Sequence, residues 1–234
     1  MPDYAAVCAN SGRRRLVQTV LSVAAVGVVA RAGIELAAPG RLGAQTNLSP
    51  DAALQQLVDG NERFAANRLT SIKQDLSMLR QQTVDKQEPF AAVLACADSR
   101  VPVELIFDQT IGDVFVTRVA GNIATPEIIA SLEYGVAVLG VKALVVLGHS
   151  GCGAVKAAMK ADSVPGQIST LYPHLRPAVE RSDGNFTKAI EANAKFQAEL
   201  LRTSSTVVRD AVNAGKLDVK SAVYDLATGK VTMN

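Results

Sequence analysis

The sequence predicts an α/β fold, a mainly parallel central sheet flanked by helices and closed by a C-terminal hairpin. Three observations carry this. Of the three runs read as strands, 90–95, 114–119 and 143–147, the first and third are unbroken apolar residues, as in strands covered on both faces. A helical pattern separates the second run from the third, which implies a right-handed crossover between parallel strands. Finally, residues 219–225 and 230–233 flank Thr228-Gly229, the pattern of a hairpin.

The elements follow in order. Ser49-Pro50-Asp51 is a helix start, with a cap residue, Pro at the first helical position and a carboxylate in the first turn. Leu54, Leu57, Val58, Phe64 and Ala65 then share one helical face, a stripe read as core or dimer packing. Residues 70–88 are polar with a weaker helical period and end at Pro89. The first strand delivers Cys96 at its carboxyl end, and Gly121-Asn122 closes the second. Thr125-Pro126-Glu127 opens a helix whose face holds Ile129, Leu132, Val136 and Leu139, stopped by Gly140. The third strand delivers His149 to a Gly-rich turn and a helix beginning near Ala154. Beyond Pro165 the chain reads as helical, with a break near Thr203-Ser204-Ser205 and a stop at Asn213-Ala214-Gly215.

With 234 residues, 48% of them hydrophobic, the chain is long enough for one well-buried domain. The formal charge of +2 is unevenly placed: residues 1–44 hold Arg13, Arg14, Arg15, Arg31 and Arg41 against Asp3 and Glu35. The remainder carries 19 basic and 20 acidic residues, a net of −1. Aromatics make up 4% and Trp is absent, so no basic stripe interleaves with stacking residues and no nucleic-acid partner is expected.

Residues 1–44 run from charged to apolar to small residues, the order of an export leader. The apolar stretch at 20–30 is shorter than the roughly 20 residues a bilayer requires and is followed by Arg31 and Glu35, so no stable membrane anchor is expected. Adjacent arginines before Leu16-Val17 resemble a twin-arginine signal, with Ser11 displaced by one and Gln18 in place of the usual Lys. The expectation is a signal peptide over 1–44, cleaved near Ala44, and a single domain over 45–234 that works outside the cytoplasm, in the periplasm or beyond. That route exports folded proteins, which suits thiolates that must bind metal before meeting an oxidising compartment.

Three cysteines do not make a disulfide framework, and Cys8 falls in the leader. The other two lie in Cys96-Ala97-Asp98-Ser99-Arg100 and in His149-Ser150-Gly151-Cys152-Gly153, both at strand ends, where sites in parallel sheets gather. Zinc prefers thiolate and imidazole, and a catalytic site keeps three protein ligands with one position open. Cys96, His149 and Cys152 supply that set. Each feature alone is weak, since a buried Cys is usually a small hydrophobe; the pairing of H-x-x-C with C-x-D-x-R makes the pattern specific. Gly151 and Gly153 do not form a nucleotide loop, because no Gly-Lys-Ser/Thr follows.

On these residues the chain resembles the beta-class carbonic anhydrases, with further matches at Gly112-Asp113, Arg118, Gly121-Asn122 and Leu132-Glu133. The likeness runs from about Ala53 to the end. It implies one zinc per chain held by Cys96, His149 and Cys152, and a zinc lyase that hydrates carbon dioxide reversibly to bicarbonate and a proton with water activated on the metal. It implies that Asp98 either pairs with Arg100 or swings in as a fourth metal ligand, so Asp98 is both a catalytic and a conditional metal residue. Arg100 would hold Asp98 ionised and in place, as a fork-shaped cation suits a carboxylate. Gln87 and Phe115 match a substrate-contacting glutamine offered across a dimer interface and an apolar pocket wall, and Gly153 could offer substrate a backbone N–H. A homodimer or higher homo-oligomer is implied. Two thiolates and a neutral imidazole cancel the zinc charge, so water there should be less acidified than in an all-histidine site.

Other readings stay open. The same scaffold could hydrolyse a related heterocumulene such as carbon disulfide, or the chain could be a bicarbonate-binding or thiol redox protein. His174 reads as a surface or packing histidine, and Asn185-Phe186-Thr187 as an accidental glycosylation pattern.

Overall fold

The computed structural model describes residues 46–234. The expected leader, its cleavage point near Ala44 and the twin-arginine pattern lie outside the described residues.

Helix α1 spans Pro50–Ala65, and Ser49 caps it by accepting a hydrogen bond from Ala52 N at 3.2 Å. Such a cap contributes about 1 kcal/mol. Its deepest positions are Ala53, Leu57, Gly60 and Asn61, one i, i+4, i+7, i+8 stripe, while Leu54, Val58, Phe64 and Ala65 are half-buried on its flanks. The face is therefore rotated toward smaller residues than the sequence suggested. The cause is a close crossing at Gly60, where a side chain would meet the Phe107 carbonyl oxygen. The polar stretch that follows holds a short 3-10 turn and helix α2 at Leu76–Thr83, capped by Asp75.

The sheet contains β1 (Ala91–Ala95), β2 (Val114–Arg118), β3 (Ala143–His149), β4 (Asp218–Tyr224) and β5 (Val231–Met233), in the order β2-β1-β3-β4-β5. The first four strands run parallel and β5 returns antiparallel to β4. Ala95 pairs with both Arg118 and Leu147, so the carboxyl ends of the three leading strands lie level. Alternate residues feed opposite faces, as the period of two in a strand requires. Val93, Ala95, Val145 and Leu147 join Leu57 and Phe107 on one side. Leu94, Leu144 and Val146 join Leu132, Leu201 and Val208 on the other.

Between the strands lie α3 (Val103–Ile106), a single turn the sequence did not announce, and α4 (Pro126–Tyr134). One turn of π-helix at Gly135–Leu139 prolongs α4 to Gly140, whose left-handed φ of 72° ends it. Helix α5 covers Gly153–Lys160, α6 Tyr172–Glu180, α7 Phe186–Ser204 and α8 Thr206–Asn213. Ser205 separates the last two and caps α8 by accepting from Val208 N. Its own hydroxyl donates to Glu133 at 2.6 Å, which ties α8 to α4. Asn185 caps α7, so its amide already has a structural use. Among the described residues no helix is long and apolar enough to cross a membrane.

Candidate metal centre

The site begins where β1 and β3 end. Cys96 directly follows β1, His149 is the last residue of β3, and Cys152 immediately precedes α5. The turn joining His149 to Cys152 is fixed from β4: Ser150 N donates to Tyr224 O at 2.8 Å, and the Ser150 hydroxyl accepts from Leu226 N at 2.9 Å. Gly151 supplies the left-handed residue of the turn, with φ of 69°. The three donor atoms converge to within 4.8 Å of one another, and all three side chains are buried.

Their chemistry fits a divalent ion. His149 Nδ1 lies 3.0 Å from Ser150 O, and since a carbonyl only accepts, Nδ1 carries the proton and Nε2 keeps its lone pair. That Nε2 is buried without a hydrogen-bond partner, an expensive arrangement unless something else binds it. The Cys96 thiol is drawn well below its ordinary range, first by the Cys152 thiol and then by His149 and by the N–H groups of Gly121 and Asp98, with burial opposing. Cys152 is pushed up by its hydrogen bond to Cys96, by burial and by the Cys96 charge, against the N–H groups of Val155 and Ala154 at the start of α5. The pair thus tolerates one negative charge readily and a second only when a cation neutralises it. Tetrahedral zinc, with bonds of about 2.0–2.3 Å, would accept all three donors and leave one position open.

Asp98 stands beside this group, with Oδ2 3.9 Å from His149 Nε2. Arg100 holds it: Nε donates to Oδ1 at 2.9 Å, Nη2 to Oδ2 at 2.7 Å, and the Arg100 backbone N to Oδ1 at 2.9 Å. These contacts keep the Asp98 carboxyl far below the usual carboxylate range, the Arg100 side chain contributing most. Asp98 is not one of the three converging donors, and its carboxylate is turned to Arg100.

Arg118 was noted from sequence only as a matching residue, and the structure shows what it touches. Its Nε donates to Cys96 O at 2.9 Å and its Nη2 to Asp98 O at 2.6 Å, clamping the backbone that carries both side chains. An arginine at the end of a strand that adjoins the first motif was the available signal. Gly121 likewise gains a contact, its N–H donating to Cys96 Sγ at 3.3 Å.

The remaining predicted residues fall in two places. Gly153 opens α5 next to Cys152, and the space a side chain would fill there is empty, leaving room for a small molecule. Gln87 lies elsewhere, in an open cavity of about 550 Å³ with Val84, Tyr134 and Leu139. Phe115 packs on Tyr134, ring centroids 6.2 Å apart, and is level with Ala92, four residues before Cys96. These two gather around Tyr134 rather than around the donors of their own chain. His174 is a half-buried residue of α6, as the packing reading had it.

Comparison with known proteins agrees with this geometry. Residues 91–231 match the family model described as carbonic anhydrase. Carbonic anhydrase 2 of Mycobacterium tuberculosis is 36% identical over 196 residues, covering 80% of this chain and 94% of the relative. A carbonic anhydrase of Mycolicibacterium smegmatis matches with the same identity and coverage. Among solved structures, the beta-carbonic anhydrase CafA of Aspergillus fumigatus superposes with a TM-score of 0.64 at 28% identity, covering 79% of this chain and 89% of that one. With the Cys96, His149 and Cys152 donors converging beside an Arg100-held Asp98, these matches show that the chain belongs to the beta-class carbonic anhydrase family.

Proposed function

We propose that this protein hydrates carbon dioxide reversibly to bicarbonate and a proton, with Cys96, His149 and Cys152 holding zinc and Asp98 and Arg100 serving the reaction beside it. The observation that carries the reading is the convergence of two thiols and an orphaned imidazole nitrogen within 4.8 Å at the level ends of parallel strands. Bound there, zinc supplies the Lewis acidity that makes water a nucleophile.

The chain's own residues do the rest. Asp98, kept ionised by Arg100, is an acceptor that can take a hydrogen bond from the attacking water and so aim a lone pair. Arg118 fixes the Asp98 and Cys96 backbone, which limits drift of that acceptor relative to the sulfur. The exposed Gly153 beside Cys152 leaves an approach free of side chains, and its backbone N–H is the donor assigned to substrate.

The active form is a dimer or larger assembly of this chain. β2 is an edge strand, and Ile72, Leu76, Leu105 and Ile111 line or flank an apolar groove of about 560 Å³ beside it. An open edge next to exposed apolar side chains favours pairing with a second copy. Phe115 belongs to that edge strand and packs on Tyr134, which shares a cavity with Gln87, and this supports their contacting substrate across the interface. Residues 1–44 are assigned to export by the twin-arginine route, tested by sequencing the amino terminus of protein recovered from outside the cytoplasm.

Stopped-flow hydration on zinc-loaded protein tests the main reading. Hydration well above buffer, lost on Cys96→Ser together with the metal, is the expected result. A chain holding stoichiometric zinc and showing no hydration from neutral to alkaline pH would overturn it.

A further inference from the structure

Beneath the metal centre, α7 carries two amide side chains that sequence patterning gave no reason to single out. Asn193 and Gln197 are one helical turn apart and both are buried, at 1% and 0% exposure. Buried amides are costly unless satisfied, and these are satisfied in one direction only. Gln197 Oε1 accepts from Ala124 N at 2.9 Å, which fixes Nε2 as the end that donates to His174 O at 3.0 Å and to Asn193 Oδ1 at 3.1 Å. With its oxygen so occupied, Asn193 presents Nδ2 to Gly121 O, donating at 2.8 Å. Gly121 in turn donates its own N–H to Cys96 Sγ.

We infer that Asn193 and Gln197 are positioning residues for the metal centre, holding Gly121 so that its N–H stays aimed at the Cys96 sulfur. This deepens the reading of Cys96 as a metal ligand and rests on it. Gly121 sits at a φ of 79°, the left-handed region, packed close to Leu175 and Ala154, and its two polar groups are directed by hydrogen bonds. Its carbonyl is seized by Asn193 on one side and its N–H faces sulfur on the other, so the amide pair governs the orientation of the residue. An N–H directed at a thiolate withdraws electron density from the sulfur, and such outer contacts tune a metal site as well as orient its ligands. The relay also connects α6, through His174 O, and the segment leading into α4, through Ala124 N, to the same sulfur.

The test uses the full chain loaded with spin-active cadmium in place of zinc. Through-bond coupling between the metal and the Cys96 methylene protons reports ligation, and coupling between the metal and the Gly121 amide proton reports the N–H to sulfur contact. Both couplings are expected in the unaltered protein. Asn193→Leu, close in volume, should abolish the Gly121 coupling and leave the Cys96 coupling in place. Leu201→Val, a core truncation on the same helix that faces the other cluster, should leave both unchanged. If Asn193→Leu does not fold, Gln197→Met carries the same expectation, since it releases Asn193. A Gly121 coupling absent from the unaltered protein, or unchanged in a folded Asn193→Leu or Gln197→Met, would overturn the inference while leaving Cys96 a ligand. Absence of the Cys96 coupling would instead sink the ligand assignment itself.

Discussion

Arg100 grips Asp98 with a two-point contact, Nε to Oδ1 and Nη2 to Oδ2 at 2.9 and 2.7 Å, and does so from only two residues away. The turn between them is closed by Val101 N donating to Asp98 O, so the fork and the carboxylate are held in one small loop. A lysine at position 100 would keep the charge and lose the planar fork. Arg100→Lys is expected to lower hydration by about 10- to 100-fold, as loss of an outer contact that orients a residue beside the metal does. Zinc content should not change, because no metal donor is touched. Stopped-flow rates alongside metal analysis check this, and a variant at full rate would remove Arg100 from the reaction.

Removing the metal should expose chemistry that the intact centre hides. Cys96 and Cys152 are both buried free thiols; the Cys152 thiol favours ionisation of Cys96, and the Cys96 charge in turn opposes ionisation of Cys152. After chelation, two further thiols per chain are expected to react with a thiol reagent, and a neutral site should favour one thiolate rather than two. Counting reactive thiols before and after chelation is the measurement. Equal counts in the two states would mean that neither sulfur is held by metal.

Much of the fold was legible because β1 and β3 are buried on both faces and so appear as unbroken apolar runs. The hairpin, the cap at Ser49, the helix start at Thr125-Pro126 and the break at Ser205 were equally open, since each rests on local backbone chemistry. The donors Cys96, His149 and Cys152 could be paired because strand ends gather in parallel sheets. Asn193 and Gln197 could not, because an amide on an amphipathic helix looks the same whether it meets water or a buried carbonyl. The same limit applies to Asp108, which reads as an ordinary loop carboxylate and is buried. Gln87 and Phe115 are a different case, since the contact proposed for them crosses an interface that a single chain cannot display.

Asp108 predicts an acid limb of stability. Arg63 Nε lies 2.5 Å from its Oδ2, Ser71 N donates to Oδ1 at 2.8 Å, and Thr70 donates through both N and hydroxyl. Burial would raise its pKa, but the Arg63, Ser71 and Thr70 donors outweigh it and hold the carboxyl well below the usual range. The unfolded chain therefore takes up this proton first, near about pH 3.9. The contribution is complete above that value and is lost as the pH falls through the folded pKa. Asp108→Asn should destabilise by about 2–4 kcal/mol near neutrality, since it leaves Arg63 and several donors poorly matched. In denaturant titrations from pH 7 to pH 3, the gap between variant and parent should narrow toward the acid end. A gap independent of pH would assign the loss to shape rather than charge.

Gly60 offers a prediction in which two effects of opposite sign can be ranked. It lies inside α1, where glycine is poor, and on helix propensity alone Gly60→Ala should gain about 1 kcal/mol. A methyl group there would stand 1.8 Å from the Phe107 carbonyl oxygen and 2.7 Å from its carbon, both backbone atoms that cannot rotate aside. The segment carrying Phe107 is anchored by Asn61, whose Nδ2 donates to Ile106 O at 3.1 Å and to Gly229 O at 2.9 Å. Opening the crossing would therefore strain α3 and the turn before β5 together. Overpacking of this kind costs about 1–3 kcal/mol and more when backbone must move, so the clash wins. Gly60→Ala should lower the unfolding midpoint, whereas Asp59→Ala, one residue away and exposed, should leave it within about 0.5 kcal/mol of the parent. A stabilised Gly60→Ala would show that α1 and the Phe107 segment can separate freely.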